Sequence, residues 1–198
     1  MTFSLEERFT AWCGNAGAAA SLWPGLAAHY SEPHRHYHTL THIHASLAEL
    51  DRCGAEPAIE GAIWFHDVVY DPHRSDNEDA SVQWFVERTC DWLEPLLSAK
   101  ITALIEATDF RRPRTEDPAA TLMVDIDLAI LSAPAADYDA YCAAIRREYA
   151  HVPDDAFRKG RAAVMAGFLA KPIYRTPHFA GREAQARENI GRELARLA

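Results

Sequence analysis

The sequence predicts an all-α protein that forms a single domain over residues 1–198. Apolar residues recur at helical spacing along most of the chain; Ile101, Leu104 and Ile105, for example, fall on one helix face. Strand-like alternation is scarce, and runs rich in Val, Ile and Thr are short. With 198 residues and 48% hydrophobic content, the chain can bury a sizeable core. We therefore expect a bundle of helices and no sheet.

Helix ends are predicted from capping residues and prolines. Asp117 before Pro118 gives a capping carboxylate followed by a proline at the first helical position. Pro153 is followed by Asp154 and Asp155, which would face the positive end of a helix dipole. Prolines predict breaks near residues 32–33, 70–72, 110–113 and 171–172. The predicted helices span residues 4–13, 16–30, 39–53, 57–70, 76–89, 93–108, 118–132, 135–150, 154–171 and 179–197.

The charge of the chain limits the classes of partner. A net charge of −9 argues against a protein that binds long nucleic acids without sequence preference, because such binding needs a basic surface. The charge is also uneven: residues 1–145 carry 9 basic and 23 acidic side chains, and residues 146–198 carry 11 and 6. An acidic metal-binding part opposite a basic C-terminal part would suit a small anionic substrate. A solvated basic helix face explains the same numbers equally well.

Cysteine usage and hydropathy predict a cytoplasmic protein without a membrane partner. The cysteines Cys13, Cys53, Cys90 and Cys142 form no Cys-x-x-Cys pair, which predicts free thiols in a reducing compartment. No apolar stretch approaches the roughly 18 residues of a membrane span. Residues 1–7 lack the basic region and apolar run of a signal peptide. The sequence leaves the oligomeric state open, with a homodimer as one option.

Histidines and aspartates form the most informative pattern of the chain. His38 and His42 are four residues apart, so on a helix they share one face. His66 and Asp67 are adjacent and follow the strongly apolar residues 63–65, where burying both without a partner would be costly. Imidazole nitrogens and carboxylate oxygens are usual ligands of a catalytic divalent metal. The pattern predicts a metal site at a junction between helices.

In this order the motifs resemble the His…His-Asp…Asp signature of the HD-domain superfamily of metal-dependent phosphohydrolases. The resemblance rests on residues 37–42 (Tyr-His-Thr-Leu-Thr-His), 64–67 (Trp-Phe-His-Asp) and 125–131 (Asp-Ile-Asp-Leu-Ala-Ile-Leu). The first segment also resembles the entry motif of the cyclic-nucleotide phosphodiesterases, which share this fold. The resemblance covers roughly residues 30–175. It implies an HD-type helical bundle with a metal site in its core.

The resemblance further implies that His42, His66, Asp67 and one later aspartate bind a single divalent metal ion. The later aspartate is Asp125 or Asp127, which cannot share a helix face because they are two residues apart. The Asp-Leu-Ala-Ile-Leu segment of the family favours Asp127, and Asp125 would then orient a ligand imidazole. The donor set fits Mn²⁺, Mg²⁺, Fe²⁺, Co²⁺, Ni²⁺ or Zn²⁺.

One metal ion is expected instead of two. HD enzymes with two metals draw extra histidines from the middle of the chain, and here no histidine lies between His73 and His151. The residues that could still recruit a second ion are Asp71, Glu78 and Asp109.

The resemblance also suggests catalytic roles. His38 is a candidate general acid, because the first histidine of the phosphodiesterase motif protonates the leaving oxygen; a core hydrogen bond is the alternative. Asp67, Asp71 and Glu78 are candidates to orient the attacking water, although capping of helix ends would also explain Asp71 and Glu78. Four cations are candidate phosphate ligands, because basic side chains, and guanidinium groups above all, bind phosphate: Arg35, Arg146, Lys171 and Arg175.

We therefore expect a metal-dependent phosphohydrolase that acts on a small phosphorylated or nucleotide-like substrate. The alternative is a non-catalytic, metal-loaded HD module that binds a nucleotide and signals to a partner. Tight nucleotide binding with slow or absent turnover would favour that alternative. An iron-dependent HD oxygenase is a further alternative, but such enzymes are dinuclear and rich in histidine ligands, which this chain lacks in its middle part.

Overall fold

The computed structural model describes residues 4–54 and 56–198, and in these ranges all regular structure is helical. The predicted all-α class is therefore confirmed; residues 1–3, which belong to the segment compared with a signal peptide above, lie outside the described residues. The helices are α1 Leu5–Cys13, α2 Ala16–His29, α3 Leu40–Cys53, α4 Pro57–Phe65, α5 Asn77–Thr89, α6 Pro95–Glu106, α7 Pro118–Asp127, α8 Ala135–Glu148, α9 Asp154–Leu169, α10 Pro177–Ala180 and α11 Glu183–Leu197, with a 3-10 helix at Leu128–Ser132.

Capping residues determine where several helices begin. Ser4 and Glu7 form a capping box at the start of α1, each side chain accepting a hydrogen bond from the other's backbone N–H. Asp117 accepts a hydrogen bond of 2.8 Å from the N–H of Ala120 and caps α7, as predicted. Asp154 and Asp155 lie in the first turn of α9, also as predicted.

The predicted helix over residues 57–70 ends early, at Phe65. The backbone groups that follow find partners elsewhere in the fold. Arg35 donates hydrogen bonds to the carbonyl oxygens of Asp67 and Val68, and the N–H of Val69 pairs with the Ser81 hydroxyl. These contacts replace helical hydrogen bonds, so the chain turns directly after the His-Asp pair. Similarly, the predicted helix 118–132 divides into α7 and the 3-10 helix.

Helix α4 runs through the middle of the core and carries part of the predicted site. Ile59, Ile63, Trp64 and Phe65 are fully buried, and the helix contacts α1, α3, α5, α6 and α7. Aromatic rings from α1 and α2 pack against its C-terminal half; Phe9, for example, meets Trp64 edge to face at 5.3 Å between ring centroids. The end of α4 is therefore fixed by packing on several sides.

Gly61 is needed for the close contact between α4 and α6. A Cβ at this position would lie 2.5 Å from Cδ1 of Ile101 and 2.7 Å from Cζ2 of Trp12. We expect Gly61→Ala to lower the free energy of unfolding by about 1–3 kcal/mol, because the core would be overpacked. Urea denaturation measures this loss. Gly160→Ala on the exposed side of α9, where a Cβ meets nothing within 4 Å, is the control and should not destabilise. Equal losses in both variants would contradict this packing.

The structure bears on two further predictions. All four cysteines are free thiols, as expected. Among the described residues no single helix is long and apolar enough to cross a membrane; the bent pair Pro118–Ser132 and Ala135–Glu148 meets the length and composition criteria only when its two helices, 104° apart, are joined.

Candidate metal centre

Three helix segments bring the four predicted metal ligands together. His42 lies in the first turn of α3, His66 and Asp67 follow the last residue of α4, and Asp127 ends α7. The two imidazoles are buried, and the two carboxylates are about five-sixths buried, with side-chain exposures of 17% and 16%. The early end of α4 is what allows the adjacent His66 and Asp67 to reach the same point.

The donor atoms of His42, His66 and Asp67 all lie within 4.8 Å of one another, and Asp127 contacts both imidazoles. The two imidazole Nε2 atoms lie 3.1 Å apart. His66 Nε2 is 3.1 Å from Oδ2 of Asp67, and His42 Nε2 is 3.2 Å from Oδ1 of Asp127. The two remaining N–O distances are 3.6 and 3.5 Å. Donors about 2.1 Å from one ion lie about 3.0 Å apart at a right angle and about 3.4 Å at the tetrahedral angle.

The electrostatics of the cluster also suit a cation. Burial alone would raise the pKa of Asp67 and Asp127, but the adjacent imidazoles lower both pKa values well below the usual range, so both groups are carboxylates. His66 Nδ1 lies 3.1 Å from the carbonyl oxygen of Ile63. Burial alone would lower the pKa of His66, but the same two carboxylates raise it well above the ordinary value, so a metal ion would have to displace a proton from Nε2. The proton on Nδ1 would keep its hydrogen bond, and the Nε2 lone pair would then face the cluster. The donor set thus fits a divalent metal ion.

Asp125 has a different environment from Asp127. Its buried carboxylate accepts hydrogen bonds from the N–H groups of Arg175 and Thr176 and from the Thr176 hydroxyl, at 2.6–3.1 Å. These contacts fix the segment before α10. Of the two candidates, Asp127 is the one that contacts both imidazoles. The expectation that Asp125 orients a ligand imidazole is not met, because its hydrogen bonds go to the other side of α7.

His38 faces the same cavity as the cluster and pairs with a residue that the sequence analysis missed. Its Nδ1 lies 2.8 Å from Oε2 of Glu148, at the end of α8. Oε1 of the same carboxylate accepts the backbone N–H groups of His36, Tyr37 and His38 at 2.7–3.0 Å. The Tyr70 ring stacks on the His38 ring at 4.0 Å. The position of His38 is therefore fixed by the hydrogen bond between its ring and Glu148, by the hydrogen bond from its backbone N–H to the same carboxylate, and by stacking against Tyr70.

The charges of this pair stabilise each other. Burial lowers the pKa of His38, but the charges of Asp67 and Glu148 and the hydrogen bond to Glu148 outweigh burial and raise it above the ordinary value. For Glu148, burial alone would raise the pKa, but hydrogen bonds from His38 and the backbone lower it to about 2. The result is an imidazolium with a fixed carboxylate partner.

The low pKa of Glu148 predicts a pH-dependent contribution to stability. In the unfolded chain this carboxyl has a pKa of 4.5, so its contribution is complete above that pH and is lost as the pH falls toward about 2. We expect Glu148→Gln to lower the free energy of unfolding by about 2–3 kcal/mol near pH 6, and the difference from wild type to narrow below pH 4.5. Urea unfolding at several pH values measures it, with Glu6→Gln on the exposed face of α1 as control. A difference that stays constant across this range would contradict the assignment.

A cavity of about 420 Å³ opens onto the cluster and is lined by His38, His66, Asp67 and Asp127. Glu78, a candidate to orient water, also lines it; burial is the main cause that raises the pKa of Glu78.

The other water-orienting candidate, Asp71, does not line this cavity. Its carboxylate accepts the N–H of His73, and its own N–H pairs with Asn77, as in a local turn. Asp71 therefore stabilises a local turn and caps none of the described helices, because α4 ends at Phe65 and α5 begins at Asn77. Of the other carboxylates considered for a second ion, Asp109 is paired with Arg111 and Arg112.

None of the four predicted phosphate ligands lines the cavity. Arg146 pairs with Asp154, Arg175 pairs with Glu116, and Lys171 is exposed after α9. Each lies at an end of a C-terminal helix, where the basic residues pair with local acidic groups or face solvent. This agrees with the alternative reading of the basic C-terminal part as a solvated face.

Arg35, the fourth of these cations, is buried beneath the cluster. Its guanidinium donates to the carbonyl oxygens of His38, Asp67 and Val68 at 3.2, 2.6 and 2.9 Å and to the Glu32 carboxylate at 2.9 Å. One side chain thus connects the backbone beside the candidate acid with the backbone of a candidate metal ligand. Its donors are occupied, so Arg35 fixes the site instead of binding phosphate.

Comparison of the chain with protein-family models, curated proteins and solved structures found no match. The class of the protein therefore has to be inferred from the all-α fold and from the geometry of this site.

Proposed function

We propose that this protein is an HD-type, metal-dependent phosphohydrolase of small phosphorylated or nucleotide-like substrates. The observation that carries the proposal is that three of the four metal-type donors, His66, Asp67 and Asp127, line the same cavity as His38 of the His38–Glu148 imidazole–carboxylate pair. A Lewis acid site beside a proton donor is what phosphate ester hydrolysis requires. A cytoplasmic location is part of the same proposal.

In this proposal His42, His66, Asp67 and Asp127 bind one divalent ion. When bound, the ion supplies Lewis-acid activation of water and neutralises negative charge on the phosphoryl group. The two carboxylates and two neutral imidazoles match the mixed oxygen and nitrogen ligands of such ions.

His38 protonates the leaving oxygen from Nε2. Glu148 accepts the Nδ1 proton, so it orients the ring and stabilises its charged form. Water adds its oxygen to phosphorus and gives a proton to a carboxylate of the site, for which Glu78 and Asp67 are the candidates. The ester P–O bond breaks, and the leaving oxygen takes the proton of His38. The products are inorganic phosphate, or a monoester from a diester, and an alcohol.

A screen of phosphate monoesters and diesters, repeated with each candidate metal, tests the proposal. We expect hydrolysis by the metal-loaded protein and none by His66→Ala. A fully metal-loaded protein that hydrolyses no phosphate ester would contradict the proposal. Tight nucleotide binding without turnover in that experiment would support the non-catalytic module instead.

A further inference from the structure

The cavity above the candidate metal centre is lined by polar and apolar side chains in similar proportion, and its apolar and aromatic side chains form an aromatic wall. Its volume of about 420 Å³ is within the range of roughly 300–1,000 Å³ for small-molecule sites. Val164 and Phe110 belong to this wall and are 54% and 47% exposed, unusual values for large apolar side chains. Six aromatic residues contribute to the wall: Tyr37, Tyr70, Phe110, Tyr141, Tyr149 and Phe168.

The aromatic wall offers a ligand ring surface in particular. Phe110 meets Phe168 edge to face at 5.5 Å, and Tyr37 meets Tyr141 at 4.6 Å between ring centroids. The Tyr70 hydroxyl donates to Glu148, and the Tyr141 hydroxyl accepts from Arg161. Because the Tyr70 ring already stacks on His38 and the Arg161 guanidinium lies over the Tyr141 ring, the exposed ring of Phe110 is the main surface that remains for contact with an apolar or aromatic group.

The cations of the cavity are already paired. Arg74 contacts Asp76 at 2.9 Å, and Arg161 contacts Glu193 at 2.8 Å. The third cation, Arg111, contacts Asp109 at 2.7 Å and Glu78 at 3.1 Å. Among the described residues that line this cavity, every arginine therefore has a carboxylate partner.

The charge beside the metal centre therefore suits only one anionic group. One phosphoryl group can contact the bound ion and the His38 imidazolium directly, but Asp67 and Asp127 would balance the charge of the ion and Glu148 balances that of His38, so the site has no surplus positive charge for a second anionic group. A second anionic group on the same ligand would meet the Glu78 carboxylate and arginines that already pair with carboxylates.

We propose that the substrate is an ester of a single phosphoryl group with an uncharged aromatic body, and that the aromatic wall binds this body. The inference rests on the proposed function, because the metal centre and His38 would bind the phosphoryl end. Burial of the aromatic body against the wall provides affinity. Because every arginine in the described lining of the cavity is already paired, ligands with a further negative charge bind more weakly.

The binding of phosphonates, which are not hydrolysed, tests the substrate class directly. Isothermal titration calorimetry on the metal-loaded protein compares benzylphosphonate with ethylphosphonate, which carries the same charge. We expect benzylphosphonate to bind at least about tenfold more tightly, since only its ring reaches the wall. Equal affinities would overturn the inference and leave the proposed function standing. If the metal-loaded protein bound neither compound, the proposed function itself would fail.

A charged ring tests the discrimination. 4-Carboxybenzylphosphonate has the shape of benzylphosphonate plus one carboxylate. We expect it to bind at least about tenfold more weakly than benzylphosphonate, because no cation of the described wall is free to pair with it. Equal or tighter binding would overturn the charge part of the inference.

Variants of the cavity residues test whether the aromatic wall causes the tighter binding of benzylphosphonate. Phe110→Ala should weaken benzylphosphonate binding by about 3–10-fold and leave ethylphosphonate binding unchanged. Val164→Ala, at a second exposed position, should act in the same direction. Leu96→Ala is the control, because Leu96 is 74% exposed on α6 outside the cavity. If both cavity variants behaved like the control, the aromatic wall would not be the binding surface.

Discussion

His38→Ala is expected to reduce turnover by about 10²–10⁴-fold while the metal content stays at the wild-type level. His38 lies four residues before His42 and precedes the start of α3 at Leu40, so the two do not share a helix face; the His38 ring pairs with Glu148 and lines the cavity instead of joining the four ligands. Its loss removes the proton for the leaving oxygen and leaves the metal ligands in place. Steady-state kinetics and elemental analysis of the same preparation measure the two effects.

The leaving group provides a control for this prediction. A nitrophenyl ester needs little protonation, so the effect of His38→Ala should be much smaller on it than on an alkyl ester of phosphate. Loss of metal in His38→Ala would mean that the residue is a ligand. Full activity on the alkyl ester would mean that His38 is structural.

Arg35→Ala is expected to lower the free energy of unfolding by about 3–5 kcal/mol. The side chain is fully buried, and its removal leaves the carbonyl groups of His38, Asp67 and Val68 without hydrogen bonds. Arg35→Lys should recover only part of the loss, because an ammonium group does not reproduce the planar array of donors. Urea denaturation measures both values.

The control for Arg35 is an exposed arginine. Arg52 pairs with Glu49 near the end of α3 and has a side-chain exposure of 63%. We expect Arg52→Ala to change stability by no more than about 0.5 kcal/mol. If Arg35→Ala were as stable as this control, the hydrogen bonds of Arg35 would not stabilise the backbone of the site. A role of Arg35 as a phosphate ligand would then become possible.

The helices could be predicted because their signals are local. Apolar spacing, prolines and capping residues such as Asp117 act within a few residues, and the starts of α7, α8 and α9 follow them. The helix predicted over residues 179–197 is instead divided into α10 and α11. The end of α4 at Phe65 could not be predicted in this way. It depends on Arg35 and on Ser81, which lie 32 and 12 residues away from the groups they bind.

The site was predictable to different degrees. His66 and Asp67 are recognisable because histidine and aspartate in an apolar context need a partner, whereas His42 and Asp127 are implied by the resemblance to the HD-domain superfamily. The fold places His42 and Asp127 beside the His66–Asp67 pair. The prediction of phosphate ligands rests on charge alone, and a charge pattern does not show which arginines have local carboxylate partners. Glu148 had a usable signal, since it continues the apolar face of α8 through Tyr138 and Ile145. A carboxylate in that position requires buried donors.

Metal analysis of the purified protein tests the central claim most directly. After removal of metal and reconstitution with one candidate ion at a time, the account predicts one ion per chain in the wild type. It predicts loss of the ion in His66→Ala and Asp127→Asn, and full occupancy in Asp125→Asn, a control two residues from a ligand whose carboxylate is used elsewhere. A full complement of metal in His66→Ala, or a wild-type protein that takes up none of the candidate ions, would contradict the account.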